Sequence, residues 1–221
     1  MPHHILVLGA TGPAGLEFCS QALAKCHSLT LYIRNPSKLP ADISENSSVT
    51  IFKGELTDKE ALERAVSNGA DTAASFLGPI VGHKGTPIAD GYKLLLPLLK
   101  KYRVYRGLFL STVSWRSPDD NWSWYSKWRL LVLFVKVINI DAYQEINAMT
   151  PIIACTSERD LKWTIFRVPI LNNNEVEKEV GANFVGSSEE GMFLSRKGMA
   201  RWVLKEIDEE KWVGKGPCIW D

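Results

Sequence analysis

The sequence predicts an α/β fold with a doubly wound, mainly parallel sheet and helices on both faces, on three observations. Short apolar, β-branched runs recur at residues 5–8, 29–33, 49–52, 71–77 and 107–112. Between them lie segments whose apolar residues follow helical spacing, as Leu16, Cys19, Leu23 and Cys26 do. No long-period repeat interrupts this alternation, which favours parallel strands joined by crossover helices.

The first run, residues 5–8, leads directly into Gly9-Ala10-Thr11-Gly12-Pro13-Ala14-Gly15 and then into the first helix. Glycines at such a strand-to-helix turn allow a tight bend, close approach of bare backbone to a phosphate, and tight packing of the helix on the strand. The helix start adds unpaired N–H groups and partial positive charge. This is a dinucleotide cradle of the Rossmann type.

The second run ends in Arg34-Asn35-Pro36-Ser37-Lys38. A carboxylate there would bind the ribose 2′-hydroxyl of NAD, whereas an Arg suits a 2′-phosphate. Arg34, with Lys38 close behind it, therefore selects NADP(H). The third run is followed by Gly54-Glu55-Leu56, and Thr57-Asp58-Lys59-Glu60 reads as a capping box opening a helix with Leu62, Ala65 and Val66 inward. After the fourth run, residues 78–87 form a loop at a strand's C-terminal end, where ligand crevices lie in open α/β sheets. His83 in that loop is a candidate acid/base, because imidazole titrates near neutrality. The fifth run closes with Ser111 and Thr112.

These residues resemble the atypical short-chain dehydrogenase/reductases, nearest to the NmrA-like, NAD(P)-binding branch that includes flavin-reductase-like proteins. The resemblance rests on the glycine turn, Ile33-Arg34-Asn35-Pro36, Gly54-Glu55-Leu56, Ser111-Thr112 and Trp163-Thr164-Ile165-Phe166-Arg167-Val168-Pro169-Ile170-Leu171. It implies that Gly9, Thr11, Gly12 and Gly15, with Pro13 and Ala14 between them, hold the pyrophosphate. It also places Glu55 and Leu56 at the adenine, Leu77, Gly78, Ser111 and Thr112 at the ribose and nicotinamide, and Pro169, Ile170 and Leu171 along the nicotinamide ring. Ser195-Arg196 opens the family's C-terminal helix. One domain spans residues 1–221, with 113–160 and 170–195 as insertions or a lid on the substrate side.

The superfamily's usual proton-donating pair, a Tyr with a Lys four residues on, is absent. Tyr125 is followed at that spacing by Arg129 and Tyr143 by Asn147. Arg is a permanent cation that does not shuttle protons, so Tyr125 is the leading donor without the usual partner. Ser111 or Thr112 would hydrogen-bond the reacting oxygen. Trp115, Trp122, Trp124, Tyr125 and Trp128 form an aromatic segment that reads either as a substrate pocket wall or as the contact of a homodimer. Residues 130–140 read as a buried or interfacial helix, and Asp141 and Glu145 as a solvated helix face.

An NADPH-dependent oxidoreductase acting on a small or medium aromatic or polycyclic carbonyl, quinone or flavin-like substrate is the leading expectation. An NADP(H)-binding regulator, or an isomerase or cyclase using His83, Asp119 or Asp120, are the alternatives. With 26 basic against 25 acidic residues, neither nucleic acid nor an anionic membrane is expected as a partner. The four cysteines lack metal-ligand spacing and read as reduced structural thiols. No metal site is expected. The chain starts almost directly on a strand, leaving no room for a signal peptide, so a cytoplasmic protein is expected.

Overall fold

Along the first strand, β1 (His4–Leu8), Ile5 and Val7 enter one hydrophobic core while Leu6 and Leu8 enter another. A strand buried on both faces needs helices on both sides, which explains its unbroken apolar sequence. The structure is a computed structural model, and it describes residues 1–79, 82, 84–121, 127–175, 178–187 and 189–221.

From β1 the chain runs through α1 (Pro13–Ala24), β2 (Ser28–Ile33), a 3-10 turn at Pro36–Lys38, α2 (Ala41–Ser44), β3 (Val49–Lys53), α3 (Lys59–Val66) and β4 (Thr72–Ser75). It continues with α4 (Pro87–Lys101), β5 (Arg106–Thr112), α5 (Lys127–Ile138), α6 (Ile140–Ala154), β6 (Lys162–Val168) and β7 (Ile170–Asn172). Last come β8 (Gly181–Asn183), β9 (Phe193–Ser195), α7 (Arg196–Glu209) and β10 (Cys218–Trp220). The main sheet has eight strands in the order β3-β2-β1-β4-β5-β6-β10-β8, and β7 and β9 form a separate pair. Among the described residues, only β8 runs antiparallel to its neighbour in the main sheet. Strand order reverses between β1 and β4, so a crevice opens at their C-terminal ends.

One face is covered by α1 and α7, through Phe18, Cys19, Met199, Val203 and Ile207. The other is covered by α3, α4 and α6, through Leu62, Tyr92, Leu95, Leu99, Ile146 and Met149. Each fully buried Leu, Ile or Phe of these layers contributes about 1.5–3 kcal/mol relative to exposure. Among the described residues, two buried ion pairs brace the sheet. Arg106 at the start of β5 meets Glu206 of α7 at 2.9 Å, and Arg167 of β6 meets Asp120 at 2.7 Å.

Several local expectations need correction. The N-cap of α3 is Asp58, whose carboxylate accepts the Ala61 N–H at 2.9 Å, so the cap lies one residue beyond Thr57. The carboxylate both satisfies a terminal donor and complements the helix dipole. Of the two readings of residues 130–140, a buried or an interfacial helix, the buried one does not hold, and the run is not one continuous helix. Asn139 breaks the run and caps α6, its side-chain oxygen accepting from Ala142 N at 3.1 Å, and much of α5 is exposed. Glu145 is fully buried, not solvated, because it accepts the Ile88 and Ala89 N–H groups at the start of α4, at 3.1 and 3.0 Å. All four cysteines are free, but Cys26 and Cys155 are exposed. Only Cys19 and Cys218 are buried thiols, each pushed up to about 12 chiefly by desolvation.

Candidate functional site

The glycine turn follows β1 at the crevice. Gly9 takes φ +77°, and a Cβ there would lie 2.9 Å from the Phe76 carbonyl carbon and 3.0 Å from Leu77 N. Only glycine meets both demands, left-handed backbone and close approach to the chain leaving β4. A Cβ on Gly15 would press on the Gly9 carbonyl and lie 2.7 Å from Ala10 Cα, so Gly15 lets α1 pack onto the turn. Gly12 differs, since a Cβ there would meet nothing nearer than Gly9 O at 3.5 Å, an ordinary contact. The fold itself does not demand glycine at position 12.

Gly12 is the N-cap of α1 and offers no side-chain cap, Pro13 opens the helix, and the first turn carries no acidic residue. The N–H of Gly12 is donated to Gly9 O at 3.1 Å and that of Leu16 to Gly12 O at 2.9 Å, which fixes the bend. Thr11 and Ala14 lie half-buried along it. A helix start without its own cap, on a turn shaped by bare backbone, is a site for an anion.

At the end of β2, Arg34 and Lys38 are exposed, and Asn35 shapes the turn between them by accepting from Ser37 N at 3.1 Å and Ser37 Oγ at 2.7 Å. The Glu55 side chain is exposed, while its carbonyl accepts the Tyr32 hydroxyl at 2.6 Å. Burial is the main cause that pushes Tyr32 up to about 12, so the phenol stays a neutral donor. Leu56 packs against α4, where a Cβ on Gly91 would lie 2.7 Å from the Leu56 Cβ. Leu77 and Gly78 are half-buried where the chain leaves β4. The glycine turn, Leu77 and Gly78 lie where the chain leaves β1 and β4, and Arg34 and Lys38 follow the end of β2. Glycine backbone, an uncapped helix start and exposed cations fit a phosphorylated dinucleotide.

Beyond the ends of β5 and β6 lies a cavity of about 160 Å³. Its wall is mostly apolar, from Val113, Leu131, Val132, Val135, Ile146 and Val168, with Pro79, Pro169 and Ile170 completing it. Leu171 instead packs against the core on the α1/α7 face. The two hydroxyls that end β5 part company. Ser111 is fully buried and shares a 2.8 Å hydrogen bond with Thr150 of α6, and it is not in the cavity wall. Thr112 lines the cavity, and its Oγ1 accepts the Ser114 N–H at 3.2 Å, leaving its own proton to donate. Of the two hydroxyls expected to meet the reacting oxygen, Thr112 lines this cavity and Ser111 does not, because successive residues of a strand point to opposite faces.

His83, Tyr125, Trp122 and Trp124 lie outside the described residues. Tyr143 and Asn147 do not form a catalytic pair. Asn147 donates to the Tyr143 carbonyl at 2.8 Å, and Lys136 rests 5.2 Å from the Tyr143 ring centre. Asp120 is no acid/base either, since both its oxygens bind Arg167 at 2.7 Å and Oδ1 also accepts the Val185 N–H. Arg167 donates further to Gly216 O at 2.7 Å. This clamp, with Trp115 5.8 Å from the guanidinium, holds the chain that leaves β5 beside the cavity. One signal in the sequence pointed to the clamp, a lone Arg within an apolar strand, which needs a buried carboxylate partner. The Glu145 contact to α4 gave no such signal. Among the described residues, no group of His, Cys, Asp or Glu is arranged to hold a metal, and no helix is long and apolar enough to cross a membrane.

The glycine turn at the switch point of a parallel sheet defines a dinucleotide-binding α/β protein. Over residues 9–210 the sequence matches the NAD(P)H-binding family, and the chain belongs to that family. Solved structures share the fold. A short-chain dehydrogenase/reductase from Veillonella parvula DSM 2008 in complex with NADP superposes with a TM-score of 0.80 at 18% identity, covering 100% of this chain and 95% of that one. ChuY, an anaerobillin reductase from Escherichia coli O157:H7, gives 0.78 at 15% identity, covering 98% and 96%. The oxidoreductase ylbE from Lactococcus lactis gives 0.74 at 16% identity, covering 99% and 90%. No curated protein matches the sequence.

Proposed function

We propose that the protein is an NADPH-dependent oxidoreductase that reduces a small, apolar, single-ring carbonyl or quinone. The observation that carries this reading is the apolar cavity of about 160 Å³ beside the cofactor crevice, with Thr112 in its wall. An apolar cavity of roughly this size accommodates a benzene-sized ring. The smaller members of the aromatic class expected from the sequence fit this space. Arg34 favours the 2′-phosphate of NADPH, in keeping with the NADP bound by the Veillonella protein and the reductase activity named for ChuY.

When bound, reduced nicotinamide supplies a hydride, and the protein supplies orientation and a dry pocket. The carbonyl oxygen would take up its proton from solvent as the reduced product leaves the pocket. Thr112 donates a hydrogen bond to that oxygen and holds it as negative charge develops. The surrounding Val, Leu and Ile side chains exclude water, which strengthens this bond.

The test is NADPH consumption by purified protein with single-ring quinones, aryl ketones and flavins. Turnover is expected with the first two, and Thr112→Val should lower kcat about 100-fold while leaving NADPH affinity intact. Tight NADPH binding without turnover on any acceptor would overturn the reading. That outcome would favour a second one, a cofactor-binding regulator, for which the missing Tyr/Lys pair and the sequestered Ser111 speak.

A further inference from the structure

Helix α5 is apolar on both of its sides. Its inner side, Leu131, Val132 and Val135, roofs the cavity. Its outer side carries Leu130, Leu133, Phe134, Val137 and Ile138, which are 72%, 57%, 61%, 75% and 66% exposed, and Ile140 beyond the helix end extends the patch. The spacing i, i+3, i+4, i+7, i+8 makes this a continuous stripe on the side of the helix away from the cavity. Contiguous apolar patches above a few hundred Å² mark interaction surfaces.

We propose that this stripe is the interface of a homodimer, in which α5 of one copy packs antiparallel against α5 of a second. The six side chains expose on the order of 700 Å², close to the ~800 Å² per partner of a standard stable interface. The stripe is centred on Phe134, so a twofold axis near that residue sets Leu130 of one copy against Ile138 of the other. Such an isologous contact closes on itself and leaves no apolar surface to recruit further copies.

The charges of α5 favour a protein surface over a lipid one. An interfacial membrane helix presents free Lys and Arg to anionic headgroups. Here Lys127 reaches Glu190, at 3.6 Å to the carboxylate and 3.1 Å to the carbonyl, and Lys136 lies over the Tyr143 ring. Arg129 is partnered as well.

Sedimentation and light scattering of the full chain test this, with co-sedimentation on phosphatidylserine/phosphatidylcholine vesicles as a second arm. Wild type should have twice the 24.8 kDa chain mass and stay off the vesicles. Phe134→Glu, which sets like charges together near the axis, should raise the dimer dissociation constant at least about 30-fold, the size of a hot-spot loss. Leu130→Glu at the stripe's end should act in the same direction. Both positions are exposed, so circular dichroism and NADPH binding should match wild type and separate lost association from lost fold. A wild-type monomer, a dimer unmoved by both variants, or vesicle binding by the wild-type monomer would each overturn the proposal.

Discussion

Replacing Gly12 with Ser separates the cofactor cradle from the fold that carries it. Gly12 has φ −81° and ψ 159°, a conformation any residue adopts, and a Cβ there has only Gly9 O at 3.5 Å. Serine is a better N-cap than glycine by a few tenths of a kcal/mol, so the fold should be unharmed or slightly firmer. For a chain of this size that is a shift in Tm of no more than about 2 °C. The serine hydroxyl, however, occupies the place of a phosphate oxygen and accepts the N–H groups meant for it. Losing one charge-assisted hydrogen bond costs roughly 1.5–3 kcal/mol, or about 10–150-fold in NADPH affinity. Gly15→Ala should do the converse. Its Cβ meets backbone at 2.7 Å from Ala10 Cα and 2.9 Å from the Gly9 carbonyl carbon, so α1 must move. Overpacking of this kind costs about 1–3 kcal/mol, a Tm loss of several degrees. Calorimetric unfolding and NADPH titration of both variants measure the two effects. Wild-type NADPH affinity in Gly12→Ser would refute the placement of the phosphates at this turn, and an unchanged Tm in Gly15→Ala would refute the packing argument.

Further expectations concern charge. Arg34→Asp should weaken NADPH binding about 10–100-fold and improve NADH binding, because a carboxylate repels the 2′-phosphate and accepts from the 2′-hydroxyl; fluorescence titration with both cofactors reads the exchange. Asp120→Ala leaves Arg167 charged and buried without its main partner, and should cost about 3–5 kcal/mol in urea unfolding, whereas a loss below about 1 kcal/mol would contradict a buried clamp. His27 lies below its ordinary value of 6.5, first through burial and then through His3 stacked on it. The folded state therefore binds this proton less readily than the unfolded chain. The stability it carries is fully present above about pH 6.5 and falls as pH drops below that value, and His27→Gln should flatten this limb of a Tm-versus-pH profile.

The sequence alone determined the strand-to-helix turn and the order of the alternating elements. It also placed Arg34 at the end of the second strand, where the structure leaves it exposed. These depend on local rules, the period of apolar residues and the chemistry of a glycine bend, so a linear reading reaches them. Short elements such as β7, β8 and β9 escaped it, because three residues carry no period.

Only the tertiary structure decided which of two adjacent hydroxyls faces the cavity. A strand's pattern shows that its side chains alternate but not what each face meets, and Ser111 meets Thr150 while Thr112 meets the open wall. Arg167 with Asp120, and Glu145 with the start of α4, are long-range pairings that sequence distance conceals. The apolar run at α5 read as a buried or an interfacial helix, a choice that depends on what lies opposite, and within one chain nothing covers the outer stripe among the described residues.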